Sequence, residues 1–73
     1  MPLKPLSYPE IKRKLETAGF EVLSQKGSHV KFAKDTSEGK RTAIVPKYKE
    51  VTIGTITSIL RQAGLSVDEF ERL

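Results

Sequence analysis

The chain lacks cysteine entirely and holds one histidine, His29, in 73 residues. Without thiols it can carry neither a disulfide framework nor a thiolate metal cluster. One histidine and no cysteine cannot furnish a closed tetrahedral zinc site either. No cofactor is expected. The absence of cysteine fits a reducing, cytoplasmic setting. No stretch reaches the roughly 18 consecutive apolar residues of a membrane span. The leader Met1-Pro2-Leu3-Lys4-Pro5-Leu6 has no apolar run long enough for a signal peptide. Repeats and low-complexity tracts are also missing. These absences leave a small soluble protein, expected to form a single domain over residues 1–73. A chain of this size buries only about 60–65% of the surface its unfolded form exposes, so its stability margin is thin.

Charge is present, and unevenly placed. The net charge is +4, with 11 Lys/Arg against 6 Asp/Glu in residues 1–50 and 2 against 3 in the remainder. Such a basic part can be a footprint for nucleic acid, because binding a polyanion releases condensed counterions. It can equally be a solvated, solubilising surface.

Local signals divide the chain into elements. The two-proline leader is expected to be extended and mobile. Ser7, Pro9 and Glu10 form a helix start with a capping box. Ile11, Leu15 and Ala18 then recur on one face, and Gly19 followed by Phe20 closes a helix predicted over 8–18. Phe20 to Gln25 reads as a strand with Phe20 and Val22 on one face. Lys26-Gly27-Ser28 turns the chain into a second strand, His29 to Lys34, and residues 35–40 form a polar loop. A third strand runs from Arg41 to Val45 and is ended by Pro46. After a polar connection containing Tyr48, Thr52 caps a second helix with apolar positions Ile53, Ile56, Leu60 and Ala63, widened by Ile59. Gly64 stops it. Ser66 and Glu69 make a second capping box, opening a short helical tail whose Phe70 needs burial.

This order predicts an α+β fold of two layers, α-β-β-β-α. A three-stranded antiparallel sheet has its helices on one face and a short helical turn follows at the C-terminus. Alternation in the second strand sends Val30 and Phe32 to the core, so His29 and Lys31 face the opposite, open side. Arg41 is expected on that open face too.

The segments ending in Gly19-Phe20, the step Lys26-Gly27-Ser28-His29, the strand end Ile44-Val45-Pro46 and the run from Gly54 to Ser66 resemble the HicA (YcfA-like) family of toxins. The resemblance covers nearly the whole chain. It implies a fold similar to the double-stranded RNA-binding domain and a ribosome-independent mRNA interferase, neutralised by a cognate HicB antitoxin. The histidine of the family's Gly-Ser-His step is catalytic, and it maps onto His29. One departure stands out. Family members often carry a second histidine two residues after the strand-ending proline, where this chain has Tyr48.

The chemistry to test is attack of an RNA 2′-OH on the adjacent phosphate, with His29 as general base or acid, a role worth typically 10²–10⁴-fold. Lys26 and Lys31 would steady charge building on the phosphate. Gly27 and Ser28 allow close backbone approach, and Lys47 and Tyr48 complete the candidate RNA-binding set. Near His29 there are no paired carboxylates to hold a metal. Thr52 to Thr57 contains no lysine or arginine to grip a duplex, which argues against ordinary double-strand binding. The competing reading is a non-catalytic RNA-binding module on the same fold.

Overall fold

Ser7 sets the first helix by bonding both ways with Glu10. Its hydroxyl accepts from the Glu10 N–H, and the Glu10 carboxylate accepts from the Ser7 N–H. The computed structural model describes residues 3–73, in the order α1 (Tyr8–Thr17), β1 (Glu21–Lys26), β2 (His29–Thr36), β3 (Gly39–Pro46), α2 (Ile53–Ala63) and α3 (Val67–Glu71). The strands form one antiparallel sheet in the order β1-β2-β3. The α-β-β-β-α order expected from the sequence is observed, with the short helix following, and it is compatible with a double-stranded RNA-binding-domain type of fold.

Both long helices end alike. Gly19 (φ 101°) bonds back to Glu16 and Phe20 to Leu15; Gly64 (φ 73°) bonds back to Arg61 and Leu65 to Leu60. Each glycine takes a left-handed conformation at little steric cost, and the apolar residue after it folds onto the last turn. Phe20 is buried in this way.

The core lies between the helices and one sheet face. Ile11 and Leu15 of α1, Val30 and Phe32 of β2, Ala43 and Val45 of β3, and Ile56, Ile59, Leu60 and Ala63 of α2 belong to one buried cluster. Each large apolar side chain contributes about 1.5–3 kcal/mol on full burial. Phe70 completes the cluster from α3, so the tail docks on the domain itself.

Several expectations change. Leu6 is not loose: it forms a two-bond bridge with Val51 (3.2 and 2.7 Å) and both residues are buried. The six-residue loop is a two-residue connection, because Thr36 pairs with Gly39 and its hydroxyl bonds across the turn. Ile53, the first residue of α2, is 44% exposed and does not join the buried stripe of Ile56, Ile59, Leu60 and Ala63. Val22 sits opposite Phe32 yet is 45% exposed, since every residue of the edge strand β1 stays open to solvent.

Arg41 is also corrected. It pairs with Lys34, two positions along the same face from Phe32 and Ala43, so it lies on the helix side. There its guanidinium approaches Gly64 at the end of α2.

Candidate functional site

His29 opens β2 immediately after the two-residue turn Gly27-Ser28. Gly27 takes φ 60° while Ser28 does not have positive φ, the pattern that suits a tight hairpin with glycine first. Across the strands His29 faces Lys26 in β1 and Pro46 in β3. The N–H of Lys47 donates to the Ser28 carbonyl at 2.7 Å, extending the β2–β3 pairing past Pro46. His29 is exposed, on the face that Val30 and Phe32 turn away from.

A basin of about 500 Å³ opens beside it, lined by Ser24, Lys26, His29, Lys31 and Ile44. Its lining is mostly apolar, includes two lysines, and holds no carboxylate. The face is graded in charge. Asp35, ion-paired with Lys40 at 3.7 Å, lies six positions along β2 from His29, about 20 Å away. Space above the turn is clear, for no atom lies within 4 Å of a Cβ built on Gly27.

On the other side of His29 stands Tyr48. Its ring centroid is 6.5 Å from the imidazole at an interplanar angle of 72°, and the residue is 51% exposed. The Tyr8 N–H donates to the Tyr48 carbonyl at 3.0 Å, so the start of α1 fixes the backbone under the ring.

Of the residues singled out by sequence, Lys26, His29 and Lys31 converge on the basin, Gly27 and Ser28 form its adjoining turn, and Tyr48 flanks it. Lys47 does not join them. Its ammonium lies 5.7 Å from the Tyr8 ring, which packs against Phe32 on the helix side.

Two basin residues escaped the sequence reading. Ser24 reaches the open face only because β1 bulges. Val22 opposes Phe32 but Ser24 opposes Lys31, leaving Leu23 as an extra residue. Ile44 opposes Lys31 and reads as core by its hydrophobicity. Counting by twos from buried Val45 would have placed it outside.

A larger cavity, about 630 Å³, lies between Leu3, Lys4 and Leu6 on one side and α3 on the other. Its lining mixes Lys4, Lys14 and Arg72 with Asp68 and Glu71. It gathers neither the histidine nor charge of one sign, so the basin is the better candidate.

Fold and site together define an α+β protein whose open sheet face presents one exposed histidine in a cationic, carboxylate-free basin. Residues 8–65 match the family model described as the HicA toxin of bacterial toxin–antitoxin systems. The chain belongs to the HicA toxin family, and hence to the toxin side of such a pair. The match spans every residue of the site and ends before α3. Among curated proteins, none matches the chain in sequence. No helix among the described residues is long and apolar enough to cross a membrane.

Proposed function

We propose that the protein is an mRNA interferase, a ribosome-independent RNA endonuclease in which His29 moves the proton. As general base His29 takes the proton of a 2′-OH. The freed oxygen attacks the adjacent phosphorus, and the bond to the 5′-oxygen breaks. The products are a 2′,3′-cyclic phosphate and a 5′-hydroxyl, the latter completed by a proton from an acid or from water. Lys26 and Lys31 hold the phosphate and offset its growing charge. Backbone at Gly27 and Ser28 lies against the RNA chain, and Tyr48 extends the RNA-binding surface. No metal or cofactor is needed for this chemistry.

The observation that carries this reading is the position of His29: exposed, between two lysines, in the Gly-Ser-His step of a HicA toxin. A HicB-like antitoxin in the same cytoplasm would silence it by covering His29 with an acidic surface. The test is incubation of the purified protein with mRNA in EDTA, beside a His29→Ala variant. Cleavage by the wild type alone is expected; equal cleavage by both, or by neither, overturns it.

Tyr48 beside a solitary histidine favours one competing reading, a non-catalytic RNA-binding module. That reading requires a mobility shift without cleavage, indifferent to His29→Ala and weakening steeply with salt.

A further inference from the structure

His29 separates two surfaces of different chemistry. Toward the middle of the sheet lies the basin, lined by the partly exposed Ile44 and by Lys26 and Lys31. In the other direction, past the Pro46 that pairs with His29, lies the exposed ring of Tyr48.

We propose that these surfaces are nucleobase subsites for an unpaired dinucleotide step of RNA. One base stacks on Tyr48, its neighbour enters the basin over Ile44, and the bridging phosphate crosses His29 between the lysines. The proposal rests on the nuclease reading for the fate of that phosphate. Base binding itself does not require cleavage.

Three features support it. An exposed aromatic ring stacks on any base, and unpaired bases are what such rings capture. Lysine stems join a mostly apolar lining while their ammonium groups remain free for phosphate, and no carboxylate in the lining opposes the anion. Spacing selects the strand state. Bases stacked in a duplex are about 3.4 Å apart along the axis. The Tyr48 ring already stands 6.5 Å from the imidazole, with the basin beyond it. A stacked step cannot occupy both surfaces, whereas a splayed, unpaired step can. The first turn of α2, Ile53-Gly54-Thr55-Ile56, supplies no cation to hold a duplex instead.

Binding of a fluorescently labelled, uncleavable 2′-O-methyl RNA, followed by anisotropy as a single strand and annealed to its complement, tests the proposal. The single strand should bind at least about 10-fold tighter than the duplex. Tyr48→Leu should weaken single-strand binding about 10- to 100-fold. Tyr48→Phe, which keeps the ring, should restore binding to within about twofold of wild type, and Ile44→Ser should weaken it as well. A Tyr48→Leu protein that is folded by circular dichroism and binds like wild type overturns the proposal, as does equal binding of the duplex. If the single strand binds with this Tyr48 dependence while unmodified RNA stays intact, the nuclease reading fails and the subsites stand. If cleavage depends on His29 but ignores Tyr48 and strand state, the subsites fail and the nuclease reading stands.

Discussion

The N–H of Lys47 donates to the carbonyl of Ser28 at 2.7 Å, holding the turn before His29 against the segment that carries Tyr48. Two sides of the site, separated by a whole hairpin in sequence, are thereby joined by a backbone bond that extends the β2–β3 pairing. The turn depends in addition on Gly27 at φ 60°.

Gly27→Val should therefore lower stability by about 1–2 kcal/mol, the cost of a side chain in the left-handed region. With no atom within 4 Å of the new Cβ, the cost is torsional rather than steric. Gly27→Asn, which tolerates that conformation, should recover most of it. Urea unfolding of the three proteins measures the difference; equal midpoints for Val and Asn would contradict it.

Gly64 combines a left-handed φ of 73° with a neighbour: a Cβ there would lie 2.8 Å from Cζ of Arg41. The guanidinium is the far end of a flexible side chain and can swing away, so the torsion should dominate. Gly64→Ala is expected to cost about 1–2 kcal/mol. Adding Arg41→Ala should recover less than half of that. Full recovery in the double variant would show crowding, not torsion, to be the cause.

Lys14 fastens the tail. Its ammonium donates to the carbonyls of Phe70 and Leu73, both at 3.1 Å, and lies 5.0 Å from the centre of the Phe70 ring. Lys14→Met keeps much of the stem and removes the donors. Given about 1.5–3 kcal/mol for hydrogen bonds to a charged group, residues 67–73 should open measurably more often. Amide hydrogen exchange in α3 should accelerate while β2 stays protected; unchanged exchange in α3 would refute the fastening role.

Acid should weaken the protein through its caps. Backbone and side-chain hydrogen bonds from Ser7 hold the Glu10 carboxyl below its ordinary value of 4.5, and those from Ser66 do the same for Glu69. Both folded-state values lie below the unfolded ones, so the unfolded chain binds more protons in that range. The stabilisation is present above pH 4.5 and is lost as pH falls below it. Glu10→Gln with Glu69→Gln keeps the capping geometry without the titration. Thermal melts from pH 6 to pH 3 should show a shallower decline for this double variant than for wild type.

Legibility from sequence followed the range of the forces involved. The caps at Ser7 and Ser66 and the closures at Gly19 and Gly64 are made by bonds spanning five residues or fewer, and each was read correctly. So was the outward direction of His29, because β2 alternates without interruption between Val30 and Phe32. The face of Arg41 was legible too, since β3 alternates without a bulge and Arg41 falls in step with buried Ala43 and Val45; its charge, not its register, suggests the open face. Ser24 was missed because the extra residue Leu23 shifts the alternation of β1. A bulge is visible only against the partner strand.

By itself the sequence determined the element order, the single exposed histidine with its flanking lysines, and the resemblance that the family match over residues 8–65 bears out. Tertiary structure alone decided what surrounds that histidine. Ile44 and Ser24 enter the basin, Lys47 turns away to Tyr8, Tyr48 is held beside the imidazole, and Lys14 clamps a tail 56 residues downstream. The physical reason is that local hydrogen bonding and alternation are written within a few neighbouring residues. Cross-strand register and the docking of distant segments depend on which surfaces meet when the core closes.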